Sequence, residues 1–409
     1  MRIWILQAYD QPDGQSTRSH TLASKFAGAG HDVTFFTNSY CHFLKFQRRE
    51  FASNHLVETM DGFSVVWLKT KPYRSAFGRL VNMVENFTRI LVAARTLEPR
   101  PDVIITPSVP PLTALAGLLL GRRFRSKLIY EIRDVWPAAL VDTKSISRWN
   151  PLFWLFDVIE NAMYRRSDLV VSTLSKVHDH VVEKGGSMER ILIVPNGIDR
   201  SVLSRAERMS EDEYRELPRL ADNPDTKVVL YVGGYGIDHD VMTLVKAAEL
   251  LRDEASIRFH CFGDGSNKQR CTDYACHAGL TNIEFHDPIP KDQIMGLQSS
   301  AHVLYAGITD SSSYRFGVNL NKLMYYVASG KPIVFSGNEV PQFLHEHGIA
   351  SIARSGDAHV VAKGIKAACH LSGGEKAKQK AAALKAFESA IDVDQHVKRY
   401  LKAISLLID

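Results

Sequence analysis

Between Lys227 and Ala248 the chain reads KVVLYVGGYGIDHDVMTLVKAA: a β-branched run, then Gly233, Gly234 and Gly236, then a helical pattern. Glycine lets backbone approach a ligand closely, and a helix that follows turns a partly positive end and free N–H groups toward it. The matching chemistry is capture of a phosphate. A glycine after a strand also serves turn geometry alone, and on the residues themselves both readings stand. A nicotinamide dehydrogenase would need G-x-G-x-x-G with an acidic residue about 20 positions on, and this spacing does not supply it. Cys271, Cys276 and His277 form C-x4-C-H without a second ligand pair, so structural thiols are expected there and no metal. The stretch from Tyr40 to Arg49 interleaves aromatic and cationic side chains, and together with Arg122, Arg123, Arg125 and Lys127 it suits an anionic lipid surface. Phe153-Trp154-Leu155-Phe156 either joins that surface or packs as core.

These residues need a frame. Strand-like runs stand at Arg2–Ala8, Asp32–Thr37, Phe63–Leu68, Asp102–Thr106, Lys127–Ile132, Asp168–Thr173 and Ile191–Val194, separated mostly by helix-period segments such as Ser16–Ala29 and Phe77–Leu97. Near-continuous apolar strands alternating with helices predict a parallel sheet covered on both faces, with ligands beyond the carboxyl ends of the strands. A charged, irregular stretch from Arg200 to Asp225 leads to a second series: Lys227–Val232, Ile257–Phe262, Asn282–His286, Ala301–Tyr305, Lys331–Phe335 and Ala350–Ala353. The expectation is an α/β chain of two doubly wound, Rossmann-like domains facing across a cleft. Residues 1–199 with 390–409 form the first domain and 200–389 the second. The last helix, about Val393 to Ile408, puts Val393, Val397, Tyr400, Leu401, Ile404 and Ile408 on one stripe that must be buried somewhere.

A length of 409 residues agrees with about two domains. Five cysteines at irregular spacings suit a reducing compartment better than a disulfide framework. Met1 to Ala8 reads as a strand, so no signal peptide is expected. The most apolar run, Pro110 to Gly121, is far short of the roughly 20 residues a bilayer needs. Residues 1–198 hold 25 Lys and Arg against 18 Asp and Glu, net +7, and the remainder is net −2. The basic first domain suits an acidic partner, but no nucleic-acid module is recognisable.

Several motifs in order carry a family resemblance. They are Asp13-Gly14 with Arg18, Gly30-His31-Asp32-Val33, Tyr130-Glu131-Ile132-Arg133-Asp134-Val135-Trp136-Pro137 and Pro195-Asn196-Gly197-Ile198-Asp199. Gly233-Gly234-Tyr235-Gly236, Gly263-Asp264-Gly265 and Asn321-Lys322-Leu323 leading to Ala328-Ser329-Gly330-Lys331-Pro332 complete the set. Over essentially its whole length the chain resembles retaining glycosyltransferases of the GT-B fold, in the family-4 group that builds bacterial polysaccharides. The R-D-V-W-P form is similar to N-acetylfucosamine-type transferases of O-antigen and capsule synthesis.

The resemblance implies a nucleotide-sugar donor, UDP-linked, held mainly by the second domain, and a lipid-linked saccharide acceptor held by the first. The last helix would cross back onto the first domain. No cofactor, metal or nucleic acid is implied. The location would be cytoplasmic, with a peripheral seat on the inner face of the plasma membrane. Gly14, Gly233, Gly234, Gly236, Gly263, Asp287, Ile289, Asn321 and Tyr325 would bind the donor, and Asp13 and Arg18 the acceptor. Lys322 and Arg133 would bear charge on the leaving diphosphate, with Asp134 orienting Arg133. Arg133 stands where many relatives carry histidine. Many also carry two glutamates eight positions apart; aligned on Ala328-Ser329-Gly330-Lys331-Pro332, those sites are Gly317 and Tyr325. A second reading therefore accompanies the first: a catalytically silent relative serving as a sugar-nucleotide sensor or assembly partner.

Overall fold

The computed structural model describes residues 1–10, 18–42, 45–142, 146–201, 218–221, 223–290 and 293–408. They divide into two compact units, Met1–Pro195 with His396–Asp409, and Asn196–Gln395.

The first unit is an eight-stranded sheet built of β1 (Arg2–Leu6), β2 (Asp32–Asn38), β3 (His55–Met60), β4 (Phe63–Leu68), β5 (Val103–Pro107), β6 (Lys127–Ile132), β7 (Leu169–Ser172) and β8 (Ile191–Ile193). Their order is β3-β4-β2-β1-β5-β6-β7-β8, parallel except for β3. Its helices are α1 (Arg18–Gly28), α2 (Ala76–Ala93), α3 (Pro111–Phe124), α4 (Ala138–Asp142), α5 (Pro151–Arg166) and α6 (His178–Glu183). The central strands are apolar along their length because helices cover both faces; all of β5 is buried.

The edge strand β3 is absent from the expected list. It is half-exposed, and its turn to β4 is Asp61-Gly62, both residues at positive φ as a two-residue hairpin loop demands. Glu58 anchors it, accepting from Trp67 Nε1 at 2.8 Å and pairing with Arg49 at 3.0 Å.

The second unit holds β9 (Lys227–Val232), β10 (Ile257–Phe262), β11 (Ile283–His286), β12 (Val303–Gly307), β13 (Ile333–Ser336) and β14 (Ala350–Ala353), all parallel, in the order β11-β10-β9-β12-β13-β14. Its helices are α7 (Val241–Leu250), α8 (Lys268–His277), α9 (Ile294–Ser299), α10 (Asn321–Ser329), α11 (Gln342–Glu346), α12 (Ala358–Cys369) and α13 (Gly373–Ala386), and the chain then ends in α14 (Val393–Ile408). The period of two divides β9 cleanly: Val229 and Tyr231 enter one buried cluster, Val228, Leu230 and Val232 the other. Strand order reverses between β9 and β12, which makes the space beyond their carboxyl ends the topological switch point.

From residue 396 onward α14 belongs to the first unit. Val397, Tyr400 and Ile404 are buried there, with Tyr400 edge-on to Phe26 at 5.6 Å, which accounts for the stripe seen in the sequence.

Candidate functional site

At the switch point of the second unit β9 runs into Gly233 and Gly234, and β10 into Gly263 and Gly265. The two turns interlock: Tyr235 N donates to the Asp264 carbonyl at 2.9 Å and Asn267 N to the Tyr235 carbonyl at 2.9 Å. A Cβ on Gly263 would lie 1.8 Å from the Gly233 oxygen, and one on Gly265 2.8 Å from the Tyr235 carbonyl. With φ near +140° at Gly263 and +146° at Gly265, both positions exclude a side chain. Two backbones in contact therefore form the floor of the site.

Lys322 enters from α10. Its Nζ donates to Tyr231 Oη at 2.8 Å and sits 4.3 Å from that ring's centre. A Cβ on Gly233 would meet the ammonium at 2.6 Å. Among the described residues no carboxylate pairs with it, and burial pushes its pKa down to about 7. Opposite stands His239, whose Nδ1 is buried without a hydrogen-bond partner among the described residues and would lie 3.6 Å from a Cβ at Gly236. Burial, then the Lys322 charge, pushes this imidazole down to about 4, so it is neutral at pH 7.

The helix directly behind the glycines does not offer free N–H groups to a phosphate. α7 begins only at Val241, and buried Asp240 caps it, accepting from Thr243 N at 3.3 Å. Asp240 also accepts from Thr243 Oγ1, from Ser336 Oγ at 3.2 Å and from Gly356 N at 3.0 Å. A carboxylate already neutralises that helix end, so it offers nothing to an anion. α10 is the converse: Leu320 precedes it with no side-chain cap, and Lys322 lies in its first turn. Asn321 is not the cap either; its side-chain Oδ1 accepts from Asn196 Nδ2 at 2.8 Å. The turn after β9 and the uncapped start of α10 thus meet around Lys322, an arrangement with the N–H groups and the positive charge an anion would need.

The other positions around the second sheet are less concentrated. Asp287 is fully exposed and 3.3 Å from Lys268 Nζ. Ile289 and Tyr325 are half-buried against the second core cluster. Gly317 ends a single 3-10 turn at φ +112°, a conformation no glutamate would adopt without rebuilding the turn. Cys271 is buried and Cys276 exposed on α8, so they share no ligand set.

In the first unit Arg133 is locked. Its Nη1 donates to Asp10 at 2.6 Å, its Nε to Glu131 at 3.1 Å, and Nη2 to Ser19. Asp10 and Glu131, not Asp134, orient it; Asp134 is exposed, and its backbone carbonyl accepts from Ser108. Arg18 donates to the Pro195 carbonyl at 2.8 Å and lies 3.3 Å from Glu131, with little exposure left for an acceptor. Burial raises the Glu131 pKa, and Arg18 and Arg133 together more than reverse that, leaving it below the usual range. Asp13 and Gly14 lie outside the described residues, as does part of the basic aromatic stretch. Within the rest of that stretch Tyr40 and Cys41 are buried, with Tyr40 Oη donating to the Tyr73 carbonyl at 2.7 Å, while Lys45, Phe46 and Gln47 are exposed.

Comparison with known proteins bears on the family and the fold. Residues 13–197 match the model of the Glycosyl transferase 4-like domain, and residues 226–371 that of Glycosyl transferases group 1. WcaI of Escherichia coli (strain K12), named for colanic acid biosynthesis, is 26% identical over 286 residues, 66% of this chain and 68% of WcaI. The solved structure of sucrose-phosphate synthase from Thermosynechococcus elongatus superposes with a TM-score of 0.71 at 13% identity, covering 99% of this chain and 98% of that one. Anabaena HepE in complex with UDP and glucose gives 0.68 at 15% identity, covering 98% and 99%. An Escherichia coli protein of trehalose-6-phosphate, solved with UDP-2-fluoro glucose, gives 0.75 at 12%, covering 100% and 99%. The two matched segments account for most of the sequence, and the chain is a glycosyltransferase of the GT4/GT1 type with the GT-B fold.

Proposed function

We propose that this chain moves a hexosyl or N-acetylhexosaminyl unit from a UDP-linked donor to a lipid-linked or other surface-polysaccharide acceptor, with retention at the anomeric carbon. The observation that carries the reading is Lys322: a lysine with no carboxylate partner among the described residues, set against a glycine turn at an uncapped helix start. A diphosphate supplies the missing counter-charge, accepts from main-chain N–H groups of the turn and of α10, and meets the neutral ring of His239. As the sugar departs, negative charge grows on the leaving oxygen, which Lys322 and those amides stabilise while the same oxygen takes the acceptor's proton. No step requires a carboxylate nucleophile. Arg133 and Arg18 serve the acceptor side by holding the first unit's strand ends in place. Tyr325 offers one hydroxyl to the donor where a glutamate would offer two acceptor oxygens.

The UDP in the HepE and trehalose-6-phosphate structures and the colanic acid role in WcaI's name support the donor and acceptor classes. A peripheral seat on an anionic membrane fits the helix layer of the first unit. There α3 packs between α2 and α5. Phe77, Val81 and Val84 on α2, Leu119 on α3, and Trp154, Leu155 and Val158 on α5 are all exposed, as are Arg122 and Arg123 at the end of α3. No helix among the described residues is long and apolar enough to cross a membrane.

The test is a panel of UDP-, GDP- and dTDP-sugars scored by melting temperature, since a ligand at about 100 times its Kd stabilises by about 2.7 kcal/mol. The donor so found is then incubated with lipid-linked acceptors and the product's anomeric configuration read by NMR. A UDP-sugar should raise the melting temperature and yield a retained product. Gly317 and Tyr325 favour a second reading, a silent sugar-nucleotide sensor; binding without transfer or slow donor hydrolysis would decide for it.

A further inference from the structure

The edge of the second sheet carries chemistry that the donor site does not use. β10 and β11 are parallel, with His260 opposite Glu284 and Phe262 opposite His286. Strand side chains alternate, so these four project from one face. On it the His286 ring stacks on Phe262 with centroids 4.2 Å apart and planes 15° apart. His260 Nδ1 and His286 Nε2 face each other at 3.0 Å, and Glu284 Oε2 stands 3.8 Å from the first and 3.6 Å from the second.

We propose that His260, Glu284 and His286 form a binding site for one zinc-like divalent cation. Zinc binds imidazole nitrogen and carboxylate oxygen at about 2.0–2.2 Å in a tetrahedron, so its ligand atoms lie about 3.4 Å from one another. The three separations straddle that value, and the donor set of two imidazoles and a carboxylate suits zinc better than magnesium or calcium, which favour all-oxygen shells. Without a metal, two neutral rings at 3.0 Å must share one N–H between them. The cation takes the place of that proton, which moves to the other nitrogen of its own ring, so both facing nitrogens present lone pairs and no net charge is lost. The fourth position is left to water.

The site is reachable and placed to matter. Glu284 is 63% exposed and His286 25%, while His260 is buried. The His286 carbonyl accepts from Gly263 N at 3.3 Å and from Lys268 Nζ at 2.8 Å. A cation bridging the two strands therefore pins the edge strand to the turn that floors the donor site. It is a clip on the fold and takes no part in sugar transfer, so it stands or falls apart from the function proposed above.

The experiment uses the full chain stripped with a chelator, then given zinc, desalted and analysed for metal content and melting temperature. Cobalt serves as a spectroscopic stand-in. The wild type should keep one zinc per chain, melt higher with it, and show the visible absorption of four-coordinate cobalt. H286A should lose the metal. E284Q should weaken binding at least as much as loss of an outer-shell partner does, about 10-fold or more. Both side chains reach solvent, so circular dichroism should show both variants folded; if H286A is not, E284Q alone carries the comparison. No retained zinc in the wild type, or equal retention in wild type and variants, overturns the proposal and leaves only an N–H···N bond between two histidines.

Discussion

Lys322 offers the sharpest contrast between stability and activity. An unfolded lysine titrates near 10.5, and burial brings this one to about 7. Between those values the unfolded chain holds a proton that the folded chain has shed, so stability rises with pH across that window. Below about pH 7 the folded state carries a buried cation that no carboxylate among the described residues pairs with. Lys322→Met should therefore raise the melting temperature by a few degrees at pH 6, and by less at pH 9. The same change should lower sugar transfer by about 10²-fold or more, the usual effect of removing a charge-stabilising donor. A variant that melts lower at pH 6, or that keeps its turnover, removes Lys322 from the charge-bearing role. Single residues were unevenly legible in the sequence. Lys322 and the glycines could be picked out because their types suit phosphate wherever they occur. The fate of Arg133 could not, because whether a guanidinium is free depends on Asp10 and Glu131, which are 123 and two positions away and meet it only once β1 and β6 are placed in one sheet.

At the scale of elements the site depends on two strand ends touching through glycine. Gly263→Ala should force the turns after β9 and β10 apart, with a loss of about 2–3 kcal/mol. In urea the second unit should unfold earlier, and the donor KM should rise more than kcat falls. Unchanged stability would mean the turns do not interlock. Elements themselves were largely readable. β4, β6, β9, β10, β14 and α14 begin and end where hydrophobic period and punctuation predict, because buried parallel strands and amphipathic helices leave strong patterns. The exceptions have physical causes. β3 leaves little hydrophobic signal because an edge strand is only half apolar, although the Asp61-Gly62 pair is a strong hairpin signal. The helix behind Gly233 is present as its sequence pattern predicts, but Asp240 caps its start and closes it to an anion. No local pattern distinguishes an acid that caps a helix from one that would repel a phosphate there.

For the whole molecule, the strongest expectation concerns surface rather than core. Trp154→Ser combined with Phe77→Ser should reduce retention on vesicles rich in anionic lipid at low salt by several-fold, with folding unchanged, since both rings are exposed. Substituting Phe46, which is also exposed but lies on neither α2 nor α5 and sits under the Arg48 guanidinium, should do less. Equal retention of all three proteins would leave the apolar helix layer without a lipid role. The division into two units also has a consequence for synthesis. The first unit spans residues 1–195, yet Tyr400 fills space beside Phe26, and Arg399 donates to the Ile193 carbonyl. A nascent chain must therefore emerge almost to its last turn of helix before its earliest strands are fully packed. A premature stop just before residue 396 would injure the half of the protein made first, and the damage would show as exposed hydrophobic surface around α1 rather than as a defect in the unit nearest the truncation.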